Sequence, residues 1–313
     1  MMSNLLNYIL LMIMVLISVA FLTLFERKIL GYMQLRKGPN KIMFKGLFQP
    51  FSDALKLLMK EIFYLSVNMS YLYSPMIMFF LSLILWLVYP WINNFYFIDF
   101  SIIYLMLILS FMVYPVMMIG WVSMCNYSIL GSLRAVSQMI SFEILLFMMF
   151  FILMLMIEDY SFLSFSKFQK NVSFMFFLYP LYLIFMVSVL IDLNRVPFDL
   201  IEGESELVSG FNLEYFSSLF VLIFLSEYMN IMFISIILTV MFYGFNNWSL
   251  YFLLIFMFHL IFLIMIRGVL PRIRYDILMK MCWLELLMLI LLYCFLIYLM
   301  KEMIMLLINN MIY

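Results

Sequence analysis

Long apolar runs alternate with short charged loops along the whole chain. Runs of membrane-spanning length cover about 5–25, 71–89, 101–122, 139–157, 174–193, 216–243, 249–266 and 282–300. Each is close to the ~20 residues that a helix needs to cross ~30 Å of hydrocarbon. The pattern predicts an all-α fold, a polytopic membrane protein with eight transmembrane helices. A short extra helix is expected after Pro50, where Phe51, Ala54, Leu55 and Leu58 form an apolar stripe and Asp53, Lys56 and Lys60 a polar one. It is too short to span and is expected to lie amphipathically in the interface plane. Pro115 and Pro180 interrupt apolar runs and are expected to kink their helices as packing devices.

An even number of spans puts both termini on one side. The loops after spans one, three, five and seven then hold 14 of the 17 Lys and Arg residues, leaving Lys167, Lys170 and Lys301 elsewhere. The positive-inside rule makes that face cytoplasmic or matrix. A single membrane domain over 1–313 is expected, with a basic loop over 26–70 and an acidic loop over 194–215 on the same face. With 68% hydrophobic and 11% charged residues, no room remains for a soluble domain. Basic and acidic residues balance at 17 each, which gives no electrostatic footprint for nucleic acid. The start of the chain lacks a basic n-region and a small-residue cleavage site, so Met1 onward reads as the first span. Richness in Met, Phe and Tyr fits an A+T-rich coding sequence of the organellar kind.

Cys125, Cys282 and Cys294 are far apart and His259 is the single histidine, so ligands for haem, iron–sulfur or zinc sites are not grouped. His259 is expected to pack within its bundle. The acidic loop is different. It carries Asp199, Glu202, Glu204, Glu206 and Glu214 against one Arg195. As a helix it would align Asp199, Glu202 and Glu206; as an extended strand, Glu202, Glu204 and Glu206. Close like charges share and trade protons, although a solvated acidic loop is the plainer reading.

Four carboxylates fall within or at the ends of spans: Glu143, Asp192, Glu227 and Glu285. Such groups are costly in lipid and usually face an interior path. Glu227 should sit near mid-membrane, with Glu143 and Asp192 nearer the inner face, and together they suit proton movement. Glu285 reads as structural, paired with Lys280 or Arg274. Arg134 and Arg195 offer counter-charges that Lys would not reproduce. A free-standing proton or cation transporter also fits these carboxylates, but no inverted repeat accompanies them. A purely structural anchor is the third possibility.

The stretches Phe25-Glu26-Arg27-Lys28-Ile29-Leu30-Gly31-Tyr32, Arg36-Lys37-Gly38-Pro39-Asn40, Gly131-Ser132-Leu133-Arg134-Ala135, Glu202 to Phe211 and Leu270 to Asp276 closely resemble the subunit 1 family of proton-pumping NADH:ubiquinone oxidoreductase, respiratory complex I. The resemblance runs essentially end to end and suits the mitochondrially encoded form. It implies a core membrane subunit in the mitochondrial inner membrane, with both termini on the intermembrane-space side. Other complex I subunits, ubiquinone and membrane lipid are the implied partners. Ubiquinone is the implied substrate, while NADH, FMN and the iron–sulfur clusters belong to partner subunits. No redox centre, catalytic residue or metal site is then expected in this chain itself.

By the same resemblance, Glu26, Arg27, Arg36, Asp53, Lys56, Lys60, Arg134, Arg195 and Arg274 belong to the quinone channel. Glu143, Asp192, Asp199, Glu202, Glu204, Glu206, Glu214 and Glu227 belong to proton coupling. Two positions depart from the family pattern. Ile191-Asp192-Leu193-Asn194-Arg195 stands where Ala-Glu-Thr-Asn-Arg is usual, and Phe142 stands before Glu143 where Tyr is common. The related membrane subunit of an energy-converting hydrogenase is the alternative within the wider superfamily.

Overall fold

The structure, a computed structural model, describes residues 2–61, 69–89, 98–170, 172–200, 210–244 and 249–312. Its described residues are helical, with no strand among them. The main helices are α1 (Met2–Met33), α2 (Gln49–Leu58), α3 (Ser70–Leu85), α4 (Ser101–Val122), α5 (Asn126–Ile157), α6 (Tyr179–Asp192), α7 (Ser217–Tyr243), α8 (Leu250–Val269), α9 (Tyr275–Lys280) and α10 (Leu287–Ile312), of which α2, α6 and α9 are short. A π turn, Met281–Leu286, joins α9 to α10 in one rod. Among the described residues, seven helical segments are long and apolar enough to cross a membrane. The eighth, α6, is apolar but only 14 residues long.

The short α6 corrects the expected span 174–193. A separate turn covers Phe174–Phe177, and Leu178 breaks the helix at φ −112° and ψ 39°. Pro180 falls at the start of α6, where its missing N–H costs nothing, instead of kinking a helix interior. Pro115 does lie inside its helix. Two other helices outrun their hydropathy. Helix α1 continues past Phe25 to Met33, and α5 begins thirteen residues before Met139, so Arg134 is helical where a loop was expected.

Helix α7 is at the centre and packs against α1, α2, α3 and α8. Apolar residues lie on all its faces, with Glu227 and Asn230 among the polar exceptions, the pattern of a helix enclosed by others. Lipid is as apolar as Leu, so helices in a membrane associate through close packing and polar contacts. At the α4–α5 seam Gly120 permits such an approach, since a Cβ there would collide with Ser132. On the far side, Tyr182 Oη lies 3.1 Å from Nε2 of the fully buried His259, tying α6 to α8. His259 therefore packs within the bundle, as its apolar setting predicts. At the opposite end of α5, Lys301 donates to the Leu155 carbonyl at 2.9 Å and pairs with Glu158 at 2.6 Å.

The segment after α6 positions the site. Asn194 adopts the left-handed conformation (φ 51°), which a short amide side chain tolerates, and this stops the helix. The N–H groups of Asn194 and Arg195 turn back to the carbonyls of Ile191 and Leu190. The side-chain amide of Gln138 on α5 then donates to the Ile191 and Phe198 carbonyls at 3.0 and 3.1 Å. The Ile273 N–H reaches the Pro197 carbonyl at 2.9 Å. Residues 193–199 are thus strapped between α5 and the α8–α9 turn.

Candidate functional site

A cavity of ≈ 400 Å³ lies between α1, α3, α4, α7 and this strap. That size is within the range of small-molecule sites. Its apolar wall comes from residues such as Leu30, Met78, Leu109, Met112, Val116 and Phe224. Its polar wall joins Glu26 and Arg27 of α1, Asp192 at the end of α6, Arg195 and Asp199 of the strap, Glu227, Tyr228 and Asn230 of α7, and Arg267 of α8.

Glu26 is the hub of the polar wall. It is only 5% exposed, although Glu26-Arg27-Lys28 reads in sequence as a charged interfacial end. One of its oxygens, Oε1, accepts from Arg267 Nη1 and from Arg195 Nη1, the latter at 3.4 Å. The other, Oε2, accepts from the Tyr228 hydroxyl. Arg195 also stacks on Tyr228, with its guanidinium carbon 4.6 Å from the ring centroid. Burial opposes the Arg195 charge, but the Tyr228 phenol, Glu26 and Glu227 more than offset it, raising its pKa above the ordinary value. Burying charges is tolerable only when they are paired in this way.

Some polar capacity remains open on the same wall. Among the described residues, Asn194 Oδ1, Arg195 Nη2 and Asn230 Oδ1 are buried without a hydrogen-bond partner. Water or a ligand oxygen can satisfy Arg195 Nη2, and a donor can satisfy the two amide oxygens. From sequence Arg195 is expected as a counter-charge to the carboxylates in and beside the spans, Asp192 among them. Its described contacts are to Glu26 and Tyr228. Glu143 lies outside the cavity lining on α5, close enough to Asp192 to act on it electrostatically. Phe142 beside it is fully buried. Asp199 meets Arg272 at 3.5 Å.

The amphipathic helix adjoins this cavity through one contact. Arg27 Nη1 lies 2.5 Å from Asp53 Oδ2, and Gln49 Nε2 donates to Asp53 Oδ1 at 2.8 Å. Lys56, Lys60 and Arg36 are exposed and do not line the cavity. Arg134 is half-buried on α5 outside the lining, and Arg274 is exposed and paired with Asp276 at 3.1 Å. These five are therefore not brought together with Glu26.

Glu214 belongs to a second, separate cluster. Cys125 Sγ donates to Glu214 Oε1 at 2.8 Å, and the Tyr71 hydroxyl donates to the Glu214 carbonyl at 2.9 Å. Tyr71 and Tyr215 stack with centroids 4.5 Å apart, and Tyr215 Oη lies 3.2 Å from Ser74 Oγ. Burial is the main cause that pushes the Tyr215 phenol up to about 12. Glu202, Glu204 and Glu206 lie outside the described residues.

Tyr228, Asn230 and Arg267 were not singled out from sequence as site residues. For the first two a signal existed: Asn230 follows Glu227 by three residues in an apolar run, marking a polar stripe on α7. Arg267 had none, because it reads as an ordinary basic anchor at a helix end.

A family model described as NADH dehydrogenase matches residues 6–298. The chain is 63% identical over 298 residues to NADH-ubiquinone oxidoreductase chain 1 of Apis mellifera ligustica, covering 95% of this chain and 98% of that one. It is 46% identical over 281 residues to the protein of the same name from Anopheles gambiae, covering 89% and 90%. From Anopheles quadrimaculatus the figures are 48% over 281 residues, 89% and 90%. The chain belongs to the NADH dehydrogenase family, as a chain 1 membrane subunit of NADH-ubiquinone oxidoreductase.

Proposed function

We propose that the cavity is the membrane-proximal part of a ubiquinone channel, and that the carboxylates on its wall begin the path coupling quinone chemistry to proton translocation. The observation that carries this reading is the buried Glu26, held by Arg195, Arg267 and Tyr228 on the wall of a half-apolar cavity. The apolar side suits an isoprenoid tail, and the unpartnered donor of Arg195 suits a quinone oxygen or ordered water. Asp192, Asp199 and Glu227 share that wall and can pass protons through water without any redox group in this chain. The Arg27–Asp53 pair supports a mouth beside α2, which would lie in the interface plane. The acidic residues Glu202, Glu204, Glu206 and Glu214 would continue the path outside the cavity.

In this reading the basic loops face the mitochondrial matrix and both termini face the intermembrane space of the inner membrane. Electrons arrive from NADH through FMN and iron–sulfur clusters of partner subunits. The test uses the assembled complex in mitochondrial membranes. A photoreactive ubiquinone analogue should label residues of the cavity wall. Glu227→Gln and Asp192→Asn should each lower proton pumping and NADH:ubiquinone turnover with normal assembly. Labelling confined to other subunits, with both variants pumping normally, would overturn the proposal.

A further inference from the structure

The last helix carries a carboxylate that the cavity does not use. Leu278 and Cys282 turn towards α5, where Cys282 Sγ approaches the Ser141 carbonyl at 3.5 Å and Tyr275 Oη lies 2.8 Å from Ser137 Oγ. Beyond the π turn, Ile290 and Ile297 keep that seam buried. Glu285 lies off the seam and is exposed, among Leu284, Met288, Leu289 and Leu292, all of which are more than half exposed.

Its depth matters. Glu285 is five residues beyond Lys280 and sixteen before Lys301, about 8 Å and 24 Å along a helix rising ~1.5 Å per residue. The expected pairing with Lys280 or Arg274 does not form. Arg274 pairs with Asp276, and among the described residues Glu285 makes no hydrogen bond or ion pair. Hydrocarbon offers nothing to such a group, and lipid headgroup amines stand nearer the level of Lys280. The exposed row Leu284, Met288 and Leu292, spaced by four, is a ridge of the kind another helix packs against.

We infer that the Glu285 face of the last helix is covered, in the assembled complex, by a membrane helix of a neighbouring subunit that presents a Lys or Arg side chain to this carboxylate. The apolar ridge supplies the packing, and the cation supplies the one charge this face demands. Charge complementarity therefore selects a basic transmembrane helix over a second apolar one.

Two measurements on the intact complex test this. Dicyclohexylcarbodiimide, an apolar reagent for carboxyl groups in membranes, should leave Glu285 unmodified in the assembled complex and modify it once detergent has dissociated the subunits, as read by peptide mass spectrometry. A structure of the assembled complex should place a Lys or Arg nitrogen of another subunit within ion-pair distance of Glu285. Modification of Glu285 in the assembled complex would overturn the inference. So would a lipid, a neutral helix or this chain's own Lys280 against the carboxylate.

Discussion

Arg195 and Tyr228 meet face to ring, with the guanidinium carbon 4.6 Å from the ring centroid, while both reach the same carboxylate of Glu26. Tyr228 thus has two separable functions. Tyr228→Phe keeps the ring under Arg195 and removes a hydrogen bond to a charged group, a loss of ~1.5–3 kcal/mol. Tyr228→Leu also removes the cation–π contact, a further ~0.5–2 kcal/mol. Phe should lower both the abundance of the assembled complex and its ubiquinone reductase turnover, and Leu should lower both further. Native-gel abundance and NADH:ubiquinone activity follow each variant, and values for Leu equal to those for Phe would show that the stack contributes nothing.

Glu26→Gln should be the more damaging change. It leaves Arg195 and Arg267 facing a neutral amide, and removing one partner of a buried pair costs about 3–5 kcal/mol. The Arg267 share is the smaller because its side chain is 38% exposed and screened by solvent. The expected outcome is loss of assembled complex. Adding Arg267→Met should recover part of it, and a double-mutant cycle on the melting temperature of the complex measures the coupling. Strict additivity would mean that the two residues do not interact.

This hub explains which features could be read from sequence. Eight apolar segments stand out in hydropathy because lipid imposes one requirement on every spanning helix, and α2 stands out because Pro50 and a two-sided stripe are local signals. Glu227, Asp192 and Asp199 were legible as polar exceptions in or beside apolar runs, and the structure brings them to one cavity. Local pattern made Glu26 legible only as a charged residue near the end of a span, and the family resemblance added it to the quinone channel. Its burial depends on Arg195, Tyr228 and Arg267, 169, 202 and 241 residues away, and no local pattern encodes such distances. Helix ends were misread for the opposite reason: Arg134 and Gln138 depress hydropathy on α5 without interrupting the helix.

The Cys125–Glu214 contact gives a pH signature outside the spans. The hydrogen bond to Glu214 is the main cause that raises the Cys125 thiol pKa, with burial and the Glu214 charge adding to it. A raised thiol pKa means less thiolate at a given pH, and the thiolate is the reactive form. Alkylation by N-ethylmaleimide at pH 8 should therefore be slower than for an ordinary half-buried cysteine and should climb with pH at higher values. Glu214→Gln should shift that rate profile to lower pH. An identical profile in the variant would show that the carboxylate does not act on the thiol.

Gly120 gives the sharpest packing prediction. A Cβ at this position would collide with Ser132 Cβ and Oγ and would stand 3.0 Å from the Ser128 carbonyl. The Ser132 Cβ is fixed by the backbone of α5, so no rotamer change relieves the clash and the two helices must part. Overpacking of this kind costs ~1–3 kcal/mol. Gly120→Ala should therefore lower the melting temperature and abundance of the assembled complex. Because α4 also supplies Leu109, Met112 and Val116 to the cavity, ubiquinone turnover per assembled complex should fall too. The double variant Gly120→Ala, Ser132→Gly moves the missing Cβ from one helix to the other and should restore both quantities. If the double variant is no better than Gly120→Ala alone, the close approach of α4 and α5 at this point is not what the glycine provides.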